Sequence, residues 1–368
     1  MARSPGRRSV LLAAGATAAG MPGTRAAGTR APGTSAASRA PADAGKPARR
    51  PLVIGHRGAP GWRPEHTAES YALAAAVGAD WLEPDLVSTK DRVLVVRHEN
   101  EISRTTDVPG RREFRSRRTS KVIDGRRVRG WFTEDFTLAE LKTLRAVERL
   151  PELRNRNTVF DGRAPILTFQ EVIDLTRSLS RRHRRPIALF PELKHPGYFR
   201  SIGLPLEPEL VRTVRRNRLG PRDCVIQSFE PSSLRRIAAA GLGLPLWQAL
   251  GLNGGPFGHD TTYGRMATPE GLREIARYAQ WIGPDKSSVL APSPLLADAH
   301  AAGLRVGVYT LRAENGFLTG GLRREGEDWE FGDAFGEYAL YYGLGVDAVV
   351  TDFPDLAVLA RDRTAPAT

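Results

Sequence analysis

Beyond residue 50 the chain alternates short apolar runs with stretches whose apolar residues recur every three or four positions. The runs at 52–56, 81–87, 93–98, 187–194, 224–229, 244–250, 281–285, 305–310 and 347–352 predict strands. "TAESYALAAAVG", "TFQEVIDLTRSL", "SLRRIAAAG", "TPEGLREIARYA" and "SPLLADAHAAG" lie between them with helical spacing. Regular alternation of this kind predicts a parallel sheet covered by helices. Nine strands are one too many for a (β/α)8 barrel, and the spacing identifies the extra one. Only the five residues "STKDR" separate Val87 from Val93, whereas a parallel crossover needs about a dozen. The second and third runs therefore form a hairpin. With Lys90 and Asp91 as its turn, Glu83 faces His98, and Asp85 shares the face of Glu83 because side chains alternate along a strand. Pro84, between the two acids, predicts an edge or bulge because it has no N–H to give to a ladder.

These runs repeatedly end in ionisable groups. His56 and Arg57 close the first, Glu83 and Asp85 lie in the second, His98 closes the third, and Glu192 and Lys194 close the fourth. Barrel enzymes carry their chemistry at the carboxyl ends of several strands, so the pattern predicts one ring of functional groups. Glu83, Asp85 and Glu192 are hard oxygen donors whose mutual repulsion calls for a cation, and a single cysteine, Cys224, leaves no soft cluster for structural zinc. Ca2+ and Mg2+ both remain open. Arg57 and Lys194 add positive charge that suits an anion bridged to the metal, a phosphate above all. His56 and His98, with ordinary pKa values near ~6.5, divide proton removal from the nucleophile and proton delivery to the departing alkoxide. The residues predict phosphodiester cleavage.

Composition changes this picture at the ends of the chain and in one insertion. The 368 residues carry a net charge of +13 with 41% hydrophobic and 26% charged residues, a soluble globular balance with no run long enough to span a membrane. Much of the excess charge lies in residues 1–50, with nine basic residues against one acidic. There "MARSPGRRSVLLAAGATAAG" pairs Arg7 and Arg8 ahead of an apolar stretch, resembling a twin-arginine export signal, and residues 21–50 predict a flexible linker. The expected location is periplasmic or extracellular, with the twin-arginine export machinery as partner. Cys224 permits no intrachain disulfide and reads as a buried strand residue. Segment 111–129 holds nine basic and two acidic residues, which predicts a solvated mobile loop with some attraction for polyanions.

In order along the chain, "GHRG", "PEHT", "EPDLVSTKDRVLVVRHEN", "PELK", "QSF", "YT" and "TDFPD" resemble the motifs of the glycerophosphodiester phosphodiesterase family. "PEHT" and "WIGPD" look most like its exported periplasmic type. The resemblance spans about residues 52–360. It implies a distorted (β/α)8 (TIM) barrel over residues 51–360, with an insertion at about 99–165 and a tail at 361–368. It also implies hydrolysis of small diesters such as glycerophosphocholine to sn-glycerol 3-phosphate and an alcohol. By motif match, His56 and His98 are the acid/base pair, Glu83, Asp85 and Glu192 the metal ligands, and Arg57 and Lys194 phosphate contacts. Water and the substrate's own glycerol hydroxyl both remain open as nucleophile. Glu65 is expected behind Arg57, and His66 in a loop or helix cap. Phe229 and Tyr309, at strand ends, are expected beside the glycerol or the leaving alcohol. Three departures stand out: Glu99 replaces a more usual aspartate, Arg97 a more usual apolar residue, and Tyr309 a more usual tryptophan. The glycine-rich "GLNGGPFGHDTTYG" predicts an active-site loop in which His259 has no assigned role. Two other classes compete, a phospholipase of the same superfamily, which needs an apolar docking rim, and a non-catalytic binder of polyanions, nucleic acid or glycerophosphate wall polymers. No nucleic acid is expected as the partner of the enzyme.

Overall fold

All nine apolar runs form strands, and the two with a proline in the middle, Pro84 and Pro191, are each cut in two, whereas Pro245 and Pro284 lie near run ends and leave their strands whole. In the computed structural model, which describes residues 50–364, run 81–87 becomes β2 (Trp81–Glu83) and β3 (Asp85–Ser88), following β1 (Leu52–His56) and preceding β4 (Leu94–Val96). After β5 (Thr119–Ile123) and β6 (Arg126–Gly130), run 187–194 splits in the same way into β7 (Ala188–Leu189) and β8 (Glu192–Leu193). The rest are β9 (Ile226–Ser228), β10 (Leu246–Leu250), β11 (Trp281–Pro284), β12 (Arg305–Leu311) and β13 (Ala348–Thr351). Each proline withholds a donor but keeps its acceptor: the Pro84 carbonyl takes the Glu192 N–H at 3.0 Å, and the Pro191 carbonyl takes that of Gln227 at 2.9 Å.

The splits close the sheet. β1 pairs in parallel with β13 and β2, and β2 pairs with β7. Past the prolines the same two chain segments continue as β3 and β8, which pair with each other, and β8 pairs with β9. β9 to β13 then follow in sequence order, so eight parallel positions form a ring: a distorted (β/α)8 barrel. The expected leader and linker, and the last residues of the expected tail, lie outside the described residues; residues 361–364 continue the helix Pro354–Thr364. Among the described residues no helix is long and apolar enough to cross a membrane.

Two expectations need correction. The β3–β4 hairpin pairs Leu86 with Val96 and Val87 with Val95, one residue out of the expected register, so Glu83 does not face His98. The turn takes three residues, with Arg92 at φ 64° and the Val93 N–H on the Thr89 hydroxyl at 2.9 Å. An added turn residue shifts every facing pair, and Pro84 ends the ladder before Glu83. The basic insertion contains an ordered antiparallel hairpin, β5–β6, in place of the expected loop. Asp124 and Gly125, at φ 47° and 78°, form its two-residue turn. Asp-Gly between alternating segments is a hairpin signal, but the many arginines on its exposed positions hide the alternation.

Ile54, Phe190, Val225, Trp247, Ala249, Trp281, Ala348 and Val350 pack together inside the barrel, and Trp247, Ala249 and Val350 among them floor a cavity above. Trp247 and Trp281 stack at 5.1 Å with planes 15° apart. Gly283 and Gly307 make room for them: a Cβ on either would lie 2.0 Å and 2.1 Å, respectively, from the Trp247 ring.

Candidate active site

Glu83 ends β2, Asp85 begins β3 and Glu192 begins β8, so the proline breaks deliver three acids from neighbouring strands to the carboxyl end of the barrel. One carboxylate oxygen from each lies within 4.8 Å of the others, and all three side chains are buried. Glu83 Oε2 and Asp85 Oδ1 have no hydrogen-bond partner, whereas the other Glu83 oxygen accepts from the Gln227 amide. Unpartnered buried carboxylate oxygens that converge on one point fit a hard divalent cation. Burial, and then the charge of Asp85, push the Glu83 carboxyl well above its usual range, and burial raises that of Glu192. For Asp85 burial acts the same way but is outweighed by Lys194, His66 and Arg57, which hold it well below. Three acids this close cannot all ionise without a counter-charge. Lys194 supplies part of it, with Nζ 2.6 Å from Glu192 and 3.4 Å from Asp85.

The two histidines are fixed in the same manner at different depths. His56 ends β1 and is buried; its Nδ1 lies 2.5 Å from Asp352, and its Nε2 faces Glu83 at 3.8 Å. Burial opposes ionisation of Asp352, but Arg312 and Arg154 outweigh it and hold the carboxyl well below its normal range. An ionised partner puts the proton on Nδ1 and leaves the Nε2 lone pair facing the carboxylate cluster. Burial and the Arg57 charge, partly offset by Asp352, lower the His56 pKa to about 4. His98 stands further out, half-buried, with Nδ1 2.5 Å from Glu99. Burial, Arg57 and Lys194 depress its pKa well below the usual value. The longer Glu99 thus meets the imidazole directly, and Arg149 pins its carboxylate at 3.0 and 2.7 Å.

Arg57 takes a left-handed backbone, φ 56°, that turns its guanidinium back over Asp85 at 3.2 Å and onto Glu65 at 2.9 Å. Glu65 bridges Arg57 to Arg149, whose two contacts with it are both 2.6 Å. A continuous chain of charges therefore runs from Arg57 through Glu65, Arg149 and Glu99 to His98. Phe229 and Tyr309 meet edge to face at 5.9 Å and form one wall of a cavity of about 290 Å³ that also contains His56, Arg57, Glu83, His98, Glu192 and Lys194. The Tyr309 hydroxyl donates to the Leu250 carbonyl at 2.9 Å. All ten residues singled out from the sequence therefore gather at one end of the barrel.

Sequence reasoning missed several groups there. His66 is fully buried, and its ring nitrogens lie 2.9 Å from Asp85 and 2.8 Å from the Tyr71 hydroxyl, so it positions an acid; the neighbouring Thr67 is the helix cap. Asp352, in the quoted "TDFPD", carried a signal by its motif alone. Gln227, in the quoted "QSF", likewise carried only its motif, and Arg149 and Arg154 carried no signal. The sequence profile described as the "Glycerophosphoryl diester phosphodiesterase family" matches residues 56–356, a span that includes every group of this site.

The chain belongs to that family. A curated glycerophosphodiester phosphodiesterase of Arabidopsis thaliana is 32% identical over 83% of this chain and 84% of its own length. Another, of Haemophilus influenzae, is 28% identical over 83% of this chain and 88% of its own. The fold matches a solved glycerophosphoryl diester phosphodiesterase from Silicibacter pomeroyi with TM-score 0.63 and 24% identity, over 87% of this chain and 95% of that one. It also matches an Oleispira antarctica phosphodiesterase solved with sn-glycerol-3-phosphate, with TM-score 0.58 and 20% identity over 85% and 97%. As a glycerophosphodiester phosphodiesterase the chain is a phosphoric diester hydrolase, and its buried acidic cluster is able to hold a divalent metal.

Proposed function

We propose that the enzyme converts glycerophosphodiesters such as glycerophosphocholine and glycerophosphoethanolamine to sn-glycerol 3-phosphate and the free alcohol, with His56 as general base and His98 as general acid. The observation that carries this reading is the pairing of two carboxylate-fixed imidazoles with three converging carboxylates around one cavity. Glu83, Asp85 and Glu192 would hold Ca2+, or Mg2+ in its place, which when bound supplies Lewis-acid polarisation of a phosphoryl oxygen. His56 is deep and neutral, suited to take a proton from the nucleophile, whether water or the glycerol hydroxyl en route to a cyclic phosphate. His98 lies at the mouth, where a leaving alcohol exits. Burial, and after it Arg57 and Lys194, depress His98; a phosphodiester anion beside those two positive charges offsets their part, so substrate binding moves His98 toward the protonated form. Phe229 and Tyr309 present apolar faces to the glycerol carbons.

The test is hydrolysis of a panel of glycerophosphodiesters by the protein reconstituted with each divalent ion. Release of sn-glycerol 3-phosphate in Ca2+, lost on chelation, is expected. No product with any ion, combined with retention of polyanions that weakens steeply with salt, would mark a binding protein instead. Glycerophosphate wall polymers belong in the same panel as larger candidate substrates. We further propose an exported enzyme, on the strength of Arg7 and Arg8 ahead of an apolar stretch. Replacing both by lysine is expected to leave the protein in the cytoplasmic fraction, and unchanged secretion would refute this route.

A further inference from the structure

The inner cavity opens past His98 into a larger one of about 610 Å³, and His98, Glu192, Lys194 and Phe229 line both. The tip of the β5–β6 hairpin forms one side of this outer cavity. Phe257 and Tyr263, from the glycine-rich loop and the helix after it, form another, and Glu230 stands at the start of the helix Pro231–Ala239. Although the arms of the hairpin are basic, its tip turns an acid inward. Asp124 gives one oxygen to His195 Nδ1 at 2.5 Å, while its Oδ1 is shielded from water without a partner. Glu230 is 5% exposed, and the hydrogen bonds to its two oxygens both come from the Gly197 N–H, at 3.2 and 3.0 Å. Burial pushes its carboxyl up to about 7, with Asp124 adding to the shift. The aromatic rings are close by: Phe229 and Tyr263 meet edge to face at 6.1 Å, and Phe257 lies against the hairpin turn, 3.9 Å from where a Gly125 Cβ would stand.

We propose that this outer cavity seats the leaving alcohol and selects alcohols bearing a positively charged nitrogen, the choline and ethanolamine class, over neutral polyols. This deepens the function proposed above and rests on it. If His98 protonates the leaving oxygen, everything attached to that oxygen extends outward from His98, into the outer cavity. There a substituted ammonium meets two under-partnered carboxylates and the faces of Phe229, Tyr263 and Phe257, the combination that binds organic cations. Basic side chains also border this cavity, but they are already engaged or exposed: Lys194 is on Glu192 at 2.6 Å and over the Phe229 ring at 5.9 Å, the His195 ring is hydrogen-bonded to one Asp124 oxygen and leaves the other free, and Arg126 is exposed at the rim. The insertion between barrel elements thereby acquires a role, since its turn carries a specificity-determining acid.

The experiment compares kcat/KM for glycerophosphocholine with that for glycerophosphoglycerol at saturating divalent ion, in the wild-type enzyme and in Asp124→Asn and Glu230→Gln. The wild type is expected to prefer the choline diester by about 3- to 30-fold, the range that cation–aromatic and ion contacts supply, and each variant to lower that ratio several-fold. Equal values for the two diesters in the wild type, or a ratio untouched by both variants, would overturn the inference while leaving the hydrolase reading intact. Hydrolysis of neither diester would remove both. Should a variant not fold, the wild type still decides: free choline is expected to inhibit glycerophosphoglycerol hydrolysis competitively, and its failure to do so at any concentration counts against the site.

Discussion

His56→Gln is expected to lower kcat by about 10²–10⁴-fold on every glycerophosphodiester, the loss typical of removing a positioned general base. His98→Gln is expected to lose as much on choline or glycerol esters, yet far less on a glycerophosphodiester whose leaving group is a nitrophenol. The difference follows from position. His56 lines the inner cavity and not the outer one, fixed by Asp352 with Nε2 toward the carboxylates, so as the proposed base it would serve the attacking side whatever group departs. His98 borders both cavities, and in the proposed mechanism it would serve the departing oxygen, which an aryl leaving group has no need to have protonated. Single-turnover rates of both variants on paired alkyl and nitrophenyl esters check the assignment. Equal sensitivity of the two histidines to the leaving group would remove the division of labour, and wild-type rates in either variant would remove histidine catalysis altogether.

Glu83→Gln is expected to raise the divalent-ion concentration needed for half-maximal activity by more than the ~10–100-fold typical of losing an outer partner of a metal ligand. Glu83 Oε2 is buried and unpartnered beside Asp85 and Glu192, and its amide replacement keeps the shape while removing one negative charge. Direct ion binding followed by calorimetry gives a readout independent of turnover. The substitution has a second expected consequence. Because burial beside Asp85 makes an ionised Glu83 costly, the ion-free wild type must hold a proton there or bear the repulsion, a cost the amide does not carry, so the ion-free variant is expected to be more stable than the ion-free wild type at neutral pH. Thermal melting in chelator would show this as a raised midpoint, and melting in Ca2+ would show a smaller ligand-induced rise than in the wild type. Unchanged ion affinity would mean that the carboxylates are not the metal site.

How much of this was legible in the sequence differs by element. The nine runs, the hairpin between the second and third, and the break at Pro84 follow from local rules: apolar spacing, the minimum length of a parallel crossover, and a missing N–H. The hairpin register did not follow, because a third turn residue, Arg92 in a left-handed conformation, costs little locally and still displaces every facing pair. His66 reads as a loop or helix-cap residue and does lie in the turn before the Thr67 cap, but only the burial of its ring between Asp85 and Tyr71 gives it a task. The β5–β6 strands were concealed by their own arginines, although their Asp-Gly turn was in plain view.

The barrel and the inventory of ionisable groups at its strand ends are written in the chain, because strand periodicity and the placement of those groups act over a few neighbours. How those groups are wired emerges only on folding. Arg149 reaches Glu65 across 84 positions, Arg154 reaches Asp352 across 198, and the hairpin tip meets His195 across 71. Such pairings are chosen by the closure of the ring and by the energetic demand that each buried charge find a counter-charge, and no local pattern records which distant residue will supply it.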